Sequence, residues 1–177
     1  RLPVSNIEKK LTYFIARDRN QPKLDRFMIF VSDPYQWLIP MLIIVMTFIY
    51  IDWVNGLQAL LLGGIGAAIA DGINTRIIKK NTDRIRPGKQ YSEIRSLGVM
   101  NRGKKSFPSN HASNTMSFAL GFAFIFPWVI WVLLPLSLLV GYSRIYCGAH
   151  FPLDVITGWL HGGLWVYTLF YLSQNLI

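Results

Sequence analysis

The sequence predicts an all-α integral membrane protein, a bundle of about five transmembrane helices preceded by an amphipathic helix lying at the membrane surface. Three observations carry this. Of the 177 residues, 52% are hydrophobic, and the mean hydropathy is +0.33. The apolar residues gather in uncharged runs of roughly 15–20, the length of a membrane span. The charged residues fall between those runs, where a membrane protein meets water.

Taken in order, residues 5–19 place Ile7, Leu11, Phe14 and Ile15 on one helical stripe, with Lys9, Lys10 and Arg17 around it. That pattern predicts an amphipathic helix at the interface. Leu24 to Val31 is apolar but too short to span, and leads into the first membrane helix at an angle. Acids and bases interrupt every apolar run before Pro34, so no cleavable signal peptide is expected there. The chain therefore divides into an amphipathic segment, 1–33, and a membrane-embedded domain, 34–177.

The first span is expected from Pro34 to Ile51, with a turn at Asp52 to Gly56, and the second from Leu57 to about Ile78. Gly63, Gly64, Gly66, Ala67, Ala68 and Ala70 fill the middle of the second span, as where helices pack closely in lipid. A polar, basic stretch over 79–108 follows. A third span runs from Asn110 to Phe126, a fourth from Trp128 to Tyr142 and a fifth from Pro152 to Leu172, with a short connection over 143–151. Tyr35, Trp37, Phe126, Trp128, Trp131, Tyr142 and Tyr146 are expected near the interfaces, and Trp159 and Trp165 inside the packing.

Five spans bring the N-terminal segment, the 79–108 loop and the 143–151 connection out on one side. All 18 lysines and arginines then belong to that side, and the net charge is +9. One face is built to meet negative charge: anionic lipid or a phosphate-bearing substrate. Nucleic acid is not expected as a partner, because the basic residues sit between spans rather than in a separate domain. Cys147 is the single cysteine, so no intramolecular disulfide forms, and it reads as a small space-filler.

Three polar stretches on that face suggest phosphoryl chemistry: 79–87, 108–111 and 143–154. Lys79, Arg86 and Arg144 can neutralise a phosphate and its more charged transition state. Ser109 and Asn110 stand where the third span begins, and free amides at a helix start favour an anion. His150 and Asp154 are four apart at the start of the fifth span, a spacing that lets the carboxylate hold one imidazole nitrogen and leave the other free to attack. His111 is suited to protonating a departing alkoxide. Asp71, Thr75 and Lys79 recur every four residues with Asn74 beside them, so a polar stripe of the second span points toward the site. Asp71, Asn74 and Thr75 are expected to support it from behind or to face substrate. His161, without a partner motif, reads as packing or hydrogen bonding.

The pattern Lys79-x6-Arg86-Pro87, Pro108-Ser109-Asn110-His111 and Ser143-Arg144-x5-His150-x3-Asp154 resembles the type 2 phosphatidic acid phosphatase (PAP2) superfamily. The resemblance covers the helical core from the second span to the fifth. One departure is Asn110, where the family usually has Gly. The resemblance implies that His150 attacks phosphorus to form a phosphohistidine, oriented by Asp154, and that His111 protonates the leaving oxygen and then helps activate water. Lys79, Arg86, Ser109, Arg144 and the Asn110 backbone would hold the phosphate oxygens. It implies no metal and no cofactor.

The same resemblance implies a membrane lipid with a terminal phosphate as substrate. The compact length looks like bacterial members: lipid A 1-phosphatases, phosphatidylglycerophosphate phosphatases and undecaprenyl pyrophosphate phosphatases. Lys89, Arg95, Arg102, Lys104 and Lys105, with the basic N-terminal helix, favour a large, multiply charged headgroup and put lipid A 1-phosphatase first. A phosphotransferase would use the same phosphohistidine with a lipid acceptor, whereas a lipid-binding or transport protein would need no nucleophile. Positive charge alone would place the basic face in the cytoplasm. The resemblance instead implies a bacterial inner-membrane protein whose site opens at the periplasmic face, because substrate binding already accounts for much of the basic charge.

Overall fold

A computed structural model of the chain describes residues 3–17, 21–97 and 103–175. Arg102, and the end of the expected N-terminal helix at 18–19, lie outside the described residues.

The N-terminal helix α1 spans Asn6–Ala16. Ser5 caps it by accepting the Glu8 amide at 3.2 Å, and Glu8 Oε2 accepts the Ser5 amide at 3.2 Å. Such a reciprocal cap contributes about 1 kcal/mol and fixes where the Glu8 carboxylate stands. Ile7 and Phe14 are 71% and 61% exposed, so the apolar stripe faces outward, while Ile15 turns inward onto the core. Helix α2, Pro22–Ser32, buries Met28 and Val31 against the rest of the molecule. At 11 residues it reaches roughly 16 Å, too short to span.

A 3-10 turn, Pro34–Trp37, enters α3, Leu38–Ile51. Helix α4 covers Trp53–Ile73. The expected turn from Asp52 to Gly56 is corrected: Asp52 alone breaks the chain, and its side chain accepts the Asn55 amide at 3.1 Å, so the helix starts at once. Helix α4 also does not stop at Ile78. It widens through a π-helical turn, Asn74–Ile78, into a last turn, α5, Lys79–Asn81. Lys79 thus rides on a helix end rather than in a loop.

A short helix α6, Pro87–Gln90, precedes α7, Asn110–Ile125. After a 3-10 turn at Pro127–Val129, α8 runs over Ile130–Tyr146, and α9 over Pro152–Asn175. The fourth span was expected to end at Tyr142, where the uncharged run ends. The backbone hydrogen bonds continue through a buried Arg144, so Ser143 and Arg144 are helical and the connection shrinks. Pro34–Ile51, Trp53–Asn81 and Pro127–Tyr146 are long and apolar enough to cross a membrane. Helix α7, at 16 residues, is shorter than those spans and carries Ser113, Asn114, Thr115 and Ser117, and α9 is less apolar, carrying Asp154 and His161.

Helix α7 is the central strut, packed on α4, α8 and α9. Gly121 lies directly against the Gly63 backbone of α4, an approach that a Cβ on Gly121 would block, and a Cβ on Gly63 would crowd the Phe118 backbone at 3.2 Å. Phe48, Ala59, Ala119, Phe122, Val129 and Leu133 fill the core at one end of the bundle. Outside it, Ile39, Leu42 and Ile43 of α3 and Leu160, Leu164 and Tyr167 of α9 are exposed, a surface suited to hydrocarbon. Trp128 and Trp131 are exposed near the start of α8, as interfacial aromatics are. Tyr146 is not one of them: it is buried, and its hydroxyl donates to Asp25 Oδ1 at 2.7 Å.

The polar end of the bundle is knitted together by backbone. The Gly88 amide donates to the Gly148 carbonyl at 2.9 Å, Leu97 to Cys147 at 3.1 Å, Arg95 to Ala16 at 3.3 Å and Ser106 to Arg84 at 2.8 Å. Arg95 also pairs with Asp25 at 2.7 Å. The N-terminal helices, the basic stretch and the last connection therefore form one cap over the ends of α5, α7 and α9.

Candidate active site

Lys79, at the start of α5, donates from Nζ to Asn110 Oδ1 at 2.6 Å. Asn110 in turn donates from Nδ2 to Asp71 Oδ1 at 2.6 Å and to Thr75 Oγ1 at 2.9 Å. The polar stripe of α4 thus reaches the start of α7 through the Asn110 side chain. Asn74 is placed differently from its neighbours: it is fully buried and donates to Ser113 Oγ at 3.1 Å, bracing α4 against α7.

Ser109 is the N-cap of α7, and its hydroxyl accepts the Ala112 amide at 3.4 Å. Its own amide donates to the Asp154 carbonyl at 2.9 Å, tying the start of α7 to the start of α9. The amides of Asn110 and His111 follow in the first turn, where no intrahelical acceptor exists. They can meet an anion. His111 Nε2 is buried and has no hydrogen-bond partner among the described residues.

His150 sits at the end of the α8–α9 connection, and its amide and that of Ala149 both donate to the Arg144 carbonyl, at 3.3 and 3.0 Å. Between them, Gly148 adopts φ +69°, with the Arg95 carbonyl where a Cβ would stand. The His150 side chain is 2% exposed. Burial first, then the charges of Arg144, Arg86 and Lys79, push its pKa well below the ordinary histidine value. The imidazole is therefore neutral near pH 7, with a free electron pair.

Asp154 faces it without the direct hydrogen bond that the spacing suggested. Asp154 Oδ2 lies 3.7 Å from His150 Nδ1, beyond hydrogen-bond reach, and accepts the Phe151 amide at 2.8 Å instead. The carboxylate serves the first turn of its own helix as well as facing the histidine.

Arg144 is 3% exposed and donates from Nη1 to the carbonyl and hydroxyl of Ser32, so α2 fixes its guanidinium. Arg86 is half-buried, and its amide donates to Lys104 at 3.2 Å. Cys147 is fully buried beside Met28 and Tyr146, and burial pushes its thiol up to about 11. It fills space. His161 accepts the Trp165 indole N–H at 2.9 Å on α9.

Two residues escaped the sequence reading. Arg84 is 1% exposed, pairs with Asp154 Oδ1 at 3.0 Å, and meets Glu8 Oε1 of α1 at 2.6 Å. Its guanidinium lies 4.8 Å from the centre of the Phe151 ring. Removing the partners of so buried a charge would cost roughly 3–5 kcal/mol. In sequence Arg84 looks like one more base in a solvated run, and the Ser5-x-x-Glu8 capping pattern was the only signal for Glu8.

Beside the site, Asn6, Lys9, Lys10, Tyr13, Tyr91, Glu93 and Ile94 line an open cleft of about 470 Å³ between α1 and the 91–94 segment. Lys9 Nζ stands 4.3 Å over the Tyr91 ring, and Tyr91 meets Phe151 edge-on at 6.4 Å between centroids. Tyr91 thus links the wall of this cleft to Phe151, the residue that follows His150.

The sequence model of the PAP2 superfamily matches residues 58–177, which include all three motif stretches. A lipid A 4'-phosphatase of Porphyromonas gingivalis is 28% identical over 97% of this chain and 76% of its own. A lipid A 1-phosphatase of Rhizobium etli is 29% identical over 60% of this chain, and the match spans about half, 49%, of that protein. Among solved structures, Aquifex aeolicus LpxE superposes with a TM-score of 0.70 at 23% identity, covering 94% of this chain and 96% of that one, a likeness of fold.

Proposed function

The chain belongs to the PAP2 superfamily and is a membrane phosphatase of its phosphoric monoester hydrolase class, and from that premise we propose that it dephosphorylates lipid A through a phosphohistidine at His150. The observation that carries the mechanism is the buried, neutral His150 in the field of Arg144, Arg86 and Lys79. A neutral imidazole is nucleophilic, and three cations around it draw in the dianion that it must attack.

Nδ1 faces Asp154, which leaves Nε2 as the attacking atom. A bond forms from Nε2 to phosphorus while the bond from phosphorus to the lipid oxygen breaks. His111 gives a proton to that oxygen. In the second step His111 takes a proton from water, the hydroxide attacks phosphorus, and the P–N bond breaks to release phosphate and restore His150. Lys79, Arg86, Arg144, Ser109 and the Asn110 amide hold the non-bridging oxygens, and Asp154 steadies the imidazole as it becomes positive. Asp71, Asn74 and Thr75 hold Asn110 and the α4–α7 contact in register. No step requires a metal or cofactor.

A multiply charged headgroup suits the cleft beside Phe151, where Lys9 and Lys10 stand next to an aromatic wall. We assign the 1-phosphate as the primary target. The second reading, hydrolysis of the 4'-phosphate, is favoured by the P. gingivalis relative, which this chain spans more fully. Phosphate release in detergent with excess chelator would be measured on lipid A, its two monophosphorylated forms, phosphatidylglycerophosphate, undecaprenyl pyrophosphate and phosphatidic acid. The greatest kcat/KM on lipid A losing its 1-phosphate is expected. A protein that ignores lipid A while cleaving the others overturns the assignment, and release that depends on an added acceptor lipid identifies a phosphotransferase. The site is assigned to the periplasmic face of a bacterial inner membrane. Single cysteines placed in the 88–97 segment should react with an impermeant thiol reagent from the periplasm, against a silent background from buried Cys147.

A further inference from the structure

We propose that Arg84 and Glu8 are positioning residues of this site, an ion-pair chain from α1 through Arg84 to Asp154 that fixes the carboxylate facing His150. The inference rests on His150 as nucleophile. Each link is specified by the fold. The α1 cap aims Glu8, whose Oε2 takes the Ser5 amide while Oε1 meets Arg84 at 2.6 Å. Arg84 is held at its other end too, since its carbonyl accepts both the amide and the hydroxyl of Ser106, at 2.8 and 3.2 Å. Phe151 covers the guanidinium, which excludes water from the pair.

The two oxygens of Asp154 then have separate duties. Oδ1 is committed to Arg84 at 3.0 Å, and Oδ2 is left toward the Phe151 amide and His150 Nδ1. Without Arg84, the carboxylate would be held only by hydrogen bonds from the Phe151 amide and the Ser106 side chain, and a buried negative charge would lose its cationic partner beside the nucleophile. With Arg84 and Glu8 both present, two carboxylates share one guanidinium. Asp154 is held in place yet remains negative enough to stabilise a phosphorylated, positive imidazole. Helix α1 is thereby part of the catalytic apparatus as well as a surface anchor.

The test uses the full chain in detergent with a lipid phosphate substrate, rates being expressed per phosphoenzyme-forming site. Arg84→Met should lower kcat by about 30-fold or more with KM within about threefold, the signature of misplacement rather than lost binding. Arg84→Lys should recover part of that loss, and Glu8→Gln, which keeps an acceptor for the Ser5 amide, should lower kcat about three- to tenfold. Should Arg84→Met fail to fold, Glu8→Gln and Arg84→Lys carry the test alone. Activity of both within twofold of wild type, beside an inactive His150→Ala control, overturns the inference. So do losses that vanish once rates are expressed per active site. An active His150→Ala control would instead sink the nucleophile reading.

Discussion

Asp154 Oδ2 stands 3.7 Å from His150 Nδ1 while accepting the Phe151 amide at 2.8 Å. The same oxygen caps its helix and faces the nucleophile. A contraction of under about 1 Å would turn that facing contact into a hydrogen bond once the imidazole carries positive charge.

Asp154→Asn tests this arrangement. It keeps the shape but removes the charge opposite both Arg84 and His150. A fall in kcat of about 10²-fold, with KM little changed, is expected from steady-state kinetics on a lipid phosphate. Loss of folded protein should accompany it, because Arg84 is left half-compensated.

The low pKa of His150 has a definite sign. The unfolded chain binds a proton near pH 6.5 that the folded chain, with His150 buried among cations, refuses. Stability therefore falls as pH drops below about 6.5, and His150 adds no pH dependence above it. Nitrogen NMR of labelled histidine should show His150 still neutral as the pH falls through 6.5, with no titration step there. A normal histidine titration would contradict the buried, cation-ringed site.

His111 is assigned to the leaving group, so its importance should depend on how good that group is. His111→Ala should lose about 10²–10⁴-fold on a lipid alkoxide and far less on an aryl phosphate, which needs no proton. The His150 variant should lose both. Comparison of the two substrates on the two variants separates proton donor from nucleophile.

Asn110 occupies the position where the family usually has Gly, and its side chain bridges Lys79 to Asp71 and Thr75. Asn110→Gly should keep the α7 start and release Lys79 from that bridge. A change of several-fold in KM, with kcat altered by less than about tenfold, is expected. Comparison across headgroups would show whether the bridge selects among them.

Gly148→Ala should be poorly tolerated, since φ +69° and the Arg95 carbonyl both exclude a Cβ. A loss of about 2 kcal/mol or more in stability is expected from thermal unfolding, with activity falling because His150 is two residues away.

Much of the candidate site was legible because motif residues lie at or beside ends of helices, where polarity interrupts long apolar runs. Lys79, His111, Arg144 and Asp154 stand at such ends, His150 lies in the connection just before α9, and Pro152 marks the first turn of α9. Hydropathy stopped α8 at Tyr142 because it registers side-chain polarity, whereas the helix continues on backbone hydrogen bonds through a buried Arg144. The π-helical extension that carries Lys79 past Ile78 has no composition signal either. Arg84 was hidden for a different reason. Its burial is created by Ser106, Glu8 and Phe151, residues distant in sequence, and nothing within the basic run distinguishes it from Lys80 or Lys89.

The measurement that bears most directly on the central claim is chemical trapping of the intermediate. Wild type and His150→Ala would be mixed with ³²P-labelled lipid phosphate in excess chelator, quenched in alkali and mapped by peptide. Acid-labile, alkali-stable label is expected on the peptide containing His150 in wild type, and none in the variant. Label on any other residue, or lipid hydrolysis by His150→Ala at the wild-type rate, would contradict it.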